Sequence, residues 1–454
     1  MNFKPSGALD RLAAALLMLA FALAGWKVLL RPPASPFAVL TAGPAVDAAK
    51  PSSSKAKPAQ QLSPDGRFRF DAQFVSSSPG QAVHAASLVE LRDGRLRAVW
   101  FSGSREGAGD VTIQSAVMDP ASLRWSPEST LFDRQALQQG LWRYVKKLGN
   151  PVIARAPDGS LCLWMVNVSL GGWAGSSITW ARSTDEGESW SAPHRLVTSP
   201  FLNISTLVKG TPISFQNGET GLPVYHEFIA KFGEVLRIND LGQVIDKTRI
   251  PGSNTSLQPI VLVSGAQKAQ VYMRSGNAAA LMASDTADAG KTWSPAHASA
   301  WPNPDSALAG TVTNTGTQWL ALNPVPRNRE ILALLQTGAG GSFDGVAPWI
   351  VESPANPQAR TSLVDYERLL SQELKARGAR DDEAQAYVAS ARRQLCSGES
   401  CSQEFSYPYL LQSRDGYLHL VYTWHRTRIK HVRLDPLQTL EAAQAAHGHV
   451  SSGK

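Results

Sequence analysis

The chain has 454 residues, enough for one large domain or two smaller ones. Charged residues are sparse at 18%, whereas 36 Gly, 29 Pro and 13 Trp favour short strands and many turns over long surface helices. The first sixty residues hold seven Lys/Arg and two Asp and so carry most of the net charge of +7. The remainder is close to neutral, and nucleic-acid binding is not expected.

The N-terminal segment, residues 1–31, has the pattern of a signal peptide or signal anchor. Lys4 and Arg11 precede fifteen apolar residues at 12–26, a length between that of a signal-peptide core and that of a membrane span. This favours an uncleaved anchor in the inner membrane, with the rest of the chain in the periplasm or outside the cell. Two alternatives stay open, namely secretion after cleavage at residues 22–24, and a buried helix of the globular domain.

Export affects the interpretation of the three cysteines. Cys396 and Cys401 are close enough in sequence to form a disulfide in an oxidising compartment. Cys162 lies in an apolar strand pattern and is expected to be a buried thiol. No His or Cys cluster has the spacing of metal ligands, so neither a metal nor another cofactor is expected.

One octapeptide pattern occurs twice. Residues 183–190 (STDEGESW) and 286–293 (TADAGKTW) both read Ser/Thr-x-Asp-x-Gly-x-x-Trp. In such a segment the Asp and Ser/Thr side chains can hydrogen-bond the backbone of a tight turn, the Gly supplies a positive φ, and the Trp anchors the turn on a sheet. Two copies in one chain indicate a repeat architecture.

Alternating apolar runs around short turns, several with Asp-Gly or Asn-Gly, predict β-hairpins. Six are predicted, at 88–100, 152–165, 212–225, 259–274, 310–323 and 409–424. Residues about 360–400 instead show helical periodicity and predict an insertion before the last hairpin. We therefore expect an all-β fold, a six-bladed β-propeller at 66–440 with this insertion, and a β-sandwich is the alternative. A Pro/Ala/Ser-rich linker at 32–65 is expected before it and a C-terminal tail at 441–454 after it.

These features resemble bacterial sialidases (neuraminidases), and the octapeptides resemble their Asp boxes. The closing stretches at 404–408 (EFSYP) and 422–432 (YTWHRTRIKHV) are similar to a divergent BNR-repeat subgroup. The resemblance implies an exo-alpha-sialidase-like hydrolase with a Tyr nucleophile activated by a Glu. It also implies an Asp acid/base and three Arg that bind the substrate carboxylate.

Carried onto this sequence, the resemblance selects five residues. Asp110, in the loop after the first hairpin, matches the acid/base, and Arg105 matches a substrate contact. Tyr407 matches the nucleophile. Arg274 and Arg329 match two of the carboxylate-binding arginines, with Arg327 as a competitor for the second. Each could instead be an ordinary surface or core residue.

Two positions depart from the family pattern. His84 stands where the family has its first arginine, and Gln258 stands where it has the Glu that activates the Tyr. Glu227, after the third hairpin, is the carboxylate that could compensate. Asn303 is a candidate sugar-binding residue, as are Lys147, Asn150 and Asp305. His425, Arg426, Arg428 and His431 are interpreted as a basic outer face.

The function expected from these observations is an exported glycoside hydrolase that removes a terminal, acidic sugar from an envelope or extracellular glycan. Seven of the side chains named above should then converge at one mouth of the central channel: His84, Asp110, Glu227, Gln258, Arg274, Arg329 and Tyr407. The alternative is a propeller, tethered to the membrane, that binds carbohydrate or protein without turnover.

Overall fold

The computed structural model describes residues 7–29, 35–39, 60–199, 203–338, 340–357 and 359–436. The first described segment is helix α1, Gly7–Leu29, within a separate unit at Met1–Ser35. Within these ranges no helix is both long and apolar enough to cross a membrane, so the predicted anchor is not confirmed. The predicted C-terminal tail at 441–454 lies outside the described residues.

The second unit, Pro36–Lys454, holds the strands. It begins with β1 (Gln61–Leu62) and β2 (Arg69–Phe74). The first sheet consists of β3 (Ala82–Glu90), β4 (Leu96–Gly103), β5 (Thr112–Asp119), β6 (Arg124–Trp125) and β7 (Ser129–Phe132). Helix α2 (Arg134–Leu141) precedes the second sheet, which consists of β8 (Lys147–Arg155), β9 (Leu161–Val168), β10 (Ser176–Ser183) and β11 (His194–Arg195). A short 3₁₀ turn, Trp173–Gly175, joins β9 to β10.

The third sheet consists of β12 (Leu207–Val208), β13 (Ile213–Ser214), β14 (Thr220–His226), β15 (Phe232–Ile238) and β16 (Val244–Arg249). The fourth consists of β17 (Ser256–Val263), β18 (Ala269–Ser275), β19 (Ala280–Thr286) and β20 (His297–Pro302). The fifth consists of β21 (Ala309–Val312), β22 (Gln318–Leu322), β23 (Leu332–Thr337) and β24 (Trp349–Glu352).

The predicted insertion contains two helices, α3 (Leu363–Ala376) and α4 (Asp381–Leu395). A small sheet of β25 (Thr361–Ser362), β26 (Cys396–Ser397) and β27 (Ser400–Cys401) closes it. The predicted disulfide between Cys396 and Cys401 is confirmed, as is the burial of the Cys162 thiol. The sixth large sheet combines β28 (Phe405–Gln412), β29 (Leu418–Trp424) and β30 (Arg428–Leu434) with the early strands, because β2 pairs with β30.

The six large sheets follow one another in a cyclic order among the described residues. The inner strands of successive sheets contact each other, in the order β3 to β8, β8 to β12, β14 to β17, β17 to β21 and β21 to β28. Strand β28 of the sixth sheet contacts β3 of the first. Buried apolar clusters lie between the sheets: Phe101 and Leu148 join the first two, and Trp100 and Tyr409 join the sixth to the first. The core is therefore divided among the sheet interfaces, and each sheet buries both of its faces.

The two Asp boxes have the same hydrogen bonds. In the first, Ser183 Oγ donates to Asp185 at 2.7 Å and accepts from the N–H of Gly187 at 2.8 Å. In the second, Thr286 Oγ1 makes the equivalent bonds to Asp288 and Gly290. Both glycines have a positive φ, as expected. The repeated pattern thus stabilises a tight turn at the end of a third strand in two sheets.

A buried lysine fastens the helical insertion to the strands. Nζ of Lys430 on β30 donates to Glu352 on β24 and, at 2.7 Å, to Glu373 on α3. The hydroxyl of Tyr422 donates to the same Glu352 oxygen. Two carboxylates around one ammonium group compensate for its burial, and they set the position of α3 against the fifth and sixth sheets.

Part of the predicted linker packs into the globular unit. Phe37 is buried and stacks on Phe215 with ring centres 5.3 Å apart. The N–H of Phe37 donates to the carbonyl of Ala266, and that of Ala38 donates to the carbonyl of Ser214. Composition alone did not indicate this attachment, because one Phe in a Pro/Ala/Ser-rich stretch has no periodicity.

Buried histidines make the stability of this fold sensitive to acid. Burial lowers the pKa of His419 to about 3, and the Arg433 charge adds to the effect; burial likewise lowers the pKa of His425 to about 3. An unfolded His binds a proton near pH 6.5. Below that pH the unfolded state binds protons that the folded state does not, so stability falls as the pH falls toward 3.

We expect the free energy of unfolding, measured in urea, to fall between pH 6.5 and 5. In a His425→Asn variant, the slope of unfolding free energy against pH should be smaller by up to ~1.4 kcal/mol per pH unit. Asn is chosen because it tolerates the φ of 49° at this position. The exposed His297→Gln serves as the control and should retain the wild-type dependence. Equal slopes in both variants would contradict the assignment to His425.

Candidate functional site

A β-bulge interrupts one inner strand in each of four sheets: β3 in the first, β8 in the second, β17 in the fourth and β28 in the sixth. The bulges contain Ala85, Asn150, Gln258 and Tyr407, whose φ values are 56°, 41°, 50° and 53°. Non-glycine residues rarely adopt positive φ, and the last three also precede a proline. Bulges redirect side chains, so this strained conformation orients Asn150, Gln258 and Tyr407.

Tyr407 lies at the centre of the resulting cluster. Its hydroxyl oxygen accepts hydrogen bonds from Nη1 of Arg274 at 3.1 Å and from Nε2 of Gln258 at 3.2 Å. The same Nη1 donates to Oε1 of Gln258 at 3.0 Å, so the three side chains form a closed set. Two donors, one of them charged, stabilise negative charge on the phenol oxygen.

Tyr225 is a second phenol in this network, and sequence reasoning did not select it. Its buried hydroxyl accepts hydrogen bonds from Nδ2 of Asn150 at 3.2 Å and from Nε2 of Gln258 at 3.4 Å. Burial, together with the negative charge that Tyr407 and Glu227 can carry, raises the pKa of Tyr225 well above its ordinary value. Tyr225 therefore stays neutral and holds Gln258 in place.

Glu404 joins two arginines of the site through one buried carboxylate. Its Oε1 accepts from Nη1 of Arg329 at 3.4 Å, and its Oε2 accepts from Nε of Arg426 at 2.9 Å. The guanidinium carbon of Arg329 lies 6.0 Å from the centre of the Tyr407 ring. Burial acts to raise the pKa of Glu404, but the Arg426 and Arg329 charges outweigh it and hold this pKa below its ordinary value.

Arg274 has its own carboxylate partner, because its Nε donates to Asp305 at 2.7 Å. Nη2 of Arg274 and Nη2 of Arg426 have no hydrogen-bond partner within the described ranges. Each of these groups can bind a ligand carboxylate. The competitor Arg327 is exposed, whereas Arg329 is partly buried against Asp305, whose carbonyl accepts from its Nη2 at 2.8 Å.

The stretch from His425 to His431 is not the basic outer face that we expected. His425, Arg428 and His431 are buried, and Arg426 lies within the Tyr407 cluster. His425 and Arg426 both have positive φ, 49° and 55°, in the turn between β29 and β30. This left-handed turn breaks the strand alternation on which the sequence interpretation rested.

His84 and Lys209 complete the surroundings of Tyr407. The buried imidazole of His84 lies 4.0 Å from the Tyr407 ring, centre to centre. Burial lowers the pKa of His84 well below its ordinary value, and the Arg426 and Arg329 charges lower it further, so this His is neutral. The buried Nζ of Lys209 lies 5.9 Å from the Tyr407 ring centre and donates to the carbonyl of Pro408 at 2.9 Å.

Lys209 was not selected from the sequence, where it is one lysine in an uncharacterised strand. Burial lowers the pKa of Lys209 to about 7. Its ammonium group binds the carbonyl immediately after the bulged Tyr407, and thus supports the strained backbone there. Its charge state can change near neutral pH, next to the central phenol.

Asp110 and Arg105 lie on the exposed loop between β4 and β5. Asp110 accepts hydrogen bonds from the backbone N–H and from Oγ of Ser104, both at 3.0 Å. The loop reaches the arginine cluster through Glu106, which accepts from Nη1 of Arg426 at 3.2 Å. No hydrogen bond, ion pair or ring contact of the described residues joins Asp110 to Tyr407. The roles of Asp110 and Arg105 therefore stay predictions.

Glu227, just after β14, is a partly buried carboxylate near the arginines. Its backbone N–H donates to Oγ of Ser205 at 2.8 Å. Burial raises the pKa of Glu227, although the charge of Arg274 opposes the shift. A carboxyl group with a raised pKa is better matched to the role of general acid than an ordinary carboxyl group.

Asn303 does not lie where a sugar could reach its amide. It is fully buried, and its Oδ1 accepts from the N–H groups of Ser306 at 3.1 Å and Ser275 at 3.3 Å. Its Nδ2 donates to the carbonyl of Ser306 at 2.9 Å. Because both ends of the amide bind backbone, Asn303 stabilises the turn before the fifth sheet, and the expected sugar contact is corrected accordingly.

The family of the protein follows from a family model. The BNR repeat-like domain matches residues 94–420, and the chain belongs to this family. The match covers four of the six predicted hairpins in full and most of the other two. No curated protein matches the chain.

Solved structures show a sialidase-like fold that is mostly β. The Hadza microbial sialidase Hz136 superposes with a TM-score of 0.58 at 13% identity, covering 78% of this chain and 66% of that one. A protein of unknown function from Dyadobacter fermentans has a TM-score of 0.58 at 11% identity, covering 80% of this chain and 97% of that one.

An intramolecular trans-sialidase from Ruminococcus gnavus has a TM-score of 0.54 at 11% identity, covering 81% of this chain and 96% of that one. This chain thus spans just under two thirds of Hz136 but nearly the whole of the other two. At these identities the likeness establishes the fold alone.

Proposed function

We propose that the protein is a glycoside hydrolase of the sialidase superfamily that removes a terminal acidic sugar from an envelope or extracellular glycan. The observation that carries the proposal is the phenol oxygen of Tyr407, which accepts hydrogen bonds from both Arg274 and Gln258. A bulged backbone with a φ of 53° holds this Tyr in place. Tyr407 is proposed as the nucleophile: its oxygen loses its proton to water and bonds to the anomeric carbon as the bond from that carbon to the leaving oxygen breaks. A second water then attacks the anomeric carbon, and the sugar is released as Tyr407 regains its proton.

The acidic character of the substrate is proposed from three arginines. Arg274, Arg329 and Arg426 face the cluster, and Arg426 supplies the cation that His84 cannot supply while neutral. Asp305 and Glu404 offset most of the charge of the three arginines. The free Nη2 groups of Arg274 and Arg426 therefore provide directed hydrogen bonds to the substrate with a small net charge.

Two carboxyl groups compete for the role of acid/base. Glu227 is partly buried, and its raised pKa favours the protonated form that donates to the leaving oxygen. Asp110 is exposed, and its carboxylate accepts two hydrogen bonds from Ser104. We favour Glu227 as the acid, and retain Asp110 as the alternative that the family resemblance implies.

Gln258 supports a second candidate function, a propeller that binds an acidic glycan without turnover. Its Nε2 donates to Tyr407, so it takes no proton from the phenol. With no base at this position, Tyr407 could serve as a hydrogen-bonding residue of a lectin-like site. The two functions share the arginine cluster and differ only in chemistry.

The architecture and location complete the proposal. The cyclic contacts of the sheets, from β3 through β28 and back to β3, support a six-bladed β-propeller with Tyr407 near its axis.

Export is proposed from the basic and apolar pattern at 1–31 and from the Cys396–Cys401 disulfide. The globular unit would then lie in the periplasm, tethered by the N-terminal segment to the inner membrane, or outside the cell.

A glycoside panel on the full chain tests the proposal. Wild-type protein should release a terminal acidic sugar from at least one glycan, and Glu227→Gln should reduce kcat by roughly 10²-fold or more. Asp110→Asn, measured in parallel, decides between the two carboxyl groups. Activity of the wild type that neither variant reduces would contradict both assignments. Saturable binding of the same glycans with no turnover would establish the lectin-like function instead.

A further inference from the structure

A cavity of about 220 Å³ lies on the second sheet, outside the Tyr407 cluster. Its lining residues come from the end of α2, from β9 and β10, and from β11: Leu141, Trp142, Arg143, Asn167, Ser177 and Arg195. The cavity residues Asn167 of β9 and Ser177 of β10 are opposite each other in the sheet, and Asn167 is also opposite Leu148 of β8. Leu148 lies two residues before Asn150, so the cavity lies at the same end of the sheet as the Asn150 bulge. Two strand spacings place it ~10 Å outward from β8.

Two guanidinium groups share this cavity, and neither has a carboxylate partner within the described ranges. Nη1 of Arg143 is buried and has no hydrogen-bond partner there. Burial lowers the pKa of Arg195, and the neighbouring charge of Arg143 lowers it further. In the same sheet, Arg155 and Arg182 are both paired, with Glu186 and Asp158. Arg195 is exposed and its Nη2 donates to the carbonyl of Asn203 at 2.7 Å, so the buried Nη1 of Arg143 is the group without a partner. A buried donor of a cation is costly to leave unpaired, and this one, beside a second cation, indicates an anion that completes the pair.

The cavity also presents an exposed aromatic side chain. Helix α2 packs closely against β11, since a Cβ on Gly140 would come within 2.4 Å of Pro193. The helix ends at Trp142, which has a φ of 49° and a side chain that is 96% exposed. The exposed indole lies next to two cations and offers a flat apolar face on which a sugar ring can stack.

We propose that this cavity is a second glycan-binding site, which takes the carboxylate or sulfate group of an anionic saccharide. Arg143 and Arg195 bind the oxyanion, and Trp142 stacks on a sugar ring. Asn167 and Ser177 are buried and hydrogen-bonded to each other, so they form the floor of the cavity. The site does not depend on turnover at Tyr407. It would hold an extended acidic glycan beside the candidate active site and raise its local concentration there.

Binding of defined oligosaccharides to the full chain tests this site, by calorimetry at two salt concentrations. The probes are a sulfated heparin hexasaccharide, a carboxylated polygalacturonate hexasaccharide, neutral maltohexaose and inorganic sulfate. At least one anionic probe should bind, more weakly at the higher salt, and maltohexaose should not. Arg143→Gln and Arg195→Gln should each weaken that binding about 10- to 100-fold, and Trp142→Ala should weaken it without changing the response to salt.

The control is Arg124→Gln, which removes one exposed positive charge from the first sheet and should leave the affinity unchanged. Equal affinity of the Arg143 and Arg195 variants and wild type would overturn the proposal, as would equal binding of maltohexaose. Binding of inorganic sulfate but of neither hexasaccharide would reduce the site to an adventitious anion site and reject the glycan assignment. Loss of binding in Arg274→Gln would place the ligand at Tyr407, and would leave the proposed hydrolase function standing.

Discussion

A Tyr407→Phe variant is expected to lose at least roughly 10³-fold in kcat on the best glycoside substrate. The substitution removes only the oxygen that accepts hydrogen bonds from Arg274 and Gln258. The ring and its contact with His84 remain, so the fold should remain as well. Initial rates over a range of substrate concentrations separate the loss in kcat from any change in KM.

The matched control is Tyr409→Phe, two residues further along the same strand. The hydroxyl of Tyr409 points into the core, where it lies 3.5 Å from the carbonyl of Ile153. This variant also loses one phenol oxygen, but it should keep wild-type kcat. If Tyr407→Phe retains turnover within tenfold of Tyr409→Phe, Tyr407 is not the nucleophile.

The second large effect is expected on stability, from a Glu404→Gln variant. Glu404 is buried and neutralises both Arg329 and Arg426. Its replacement leaves two partly buried guanidinium groups without this shared carboxylate, which costs about 3–5 kcal/mol of unfolding free energy. Urea unfolding followed by tryptophan fluorescence measures the difference directly.

Glu106→Gln is the control for this prediction. Glu106 contacts the same Arg426 from the exposed loop between β4 and β5, with the Oε2–Nη1 distance at 3.2 Å. Because solvent screens this pair, the variant should lose less than about 1 kcal/mol. A Glu404→Gln variant no less stable than Glu106→Gln would show that the shared carboxylate does not hold the two arginines in place.

Elements defined by local sequence could be predicted. The turns at Gly94, Gly159, Gly218 and Gly416 all form, each with its N–H bonded to the carbonyl three residues before. The Asp boxes form because all of their hydrogen-bonding groups lie within seven residues, from Ser183 to Ser189 and from Thr286 to Thr292. The helical periodicity at 360–400 correctly predicted helices, which are α3 and α4 in the structure. This was possible because a helix depends on contacts between residues three and four positions apart.

The site was predicted less completely, because its geometry depends on long-range contacts. Position-by-position comparison with the sialidase pattern selected His84, Gln258, Arg274 and Arg329 together with Tyr407. All four lie next to Tyr407 in the structure. The same comparison could not find Tyr225, Lys209 or Arg426. Tyr225 and Lys209 reach the cluster from the third sheet through contacts far apart in sequence, and Arg426 reaches it from a left-handed turn of the sixth sheet. Neither kind of feature leaves a regular spacing in the sequence.

Polar residues were the least predictable of all. Asn303 and Asn150 have similar sequence surroundings, because each precedes a predicted hairpin and is followed by a proline. Asn150 has a φ of 41° and points to Tyr225, whereas Asn303 bonds its own turn. Only the backbone conformation distinguishes the amide that joins the network from the amide that stabilises a loop.

The central claim, that Tyr407 carries the chemistry, is tested most directly by trapping a covalent intermediate. The full chain is incubated with a fluorinated glycosyl fluoride of the acidic sugar that it releases, quenched in acid, and measured by intact and peptide mass spectrometry. One added glycosyl group is expected on the peptide that contains Tyr407, and none in Tyr407→Phe. A glycosyl group on Glu227 or Asp110, or an active protein that never forms an adduct, would contradict it.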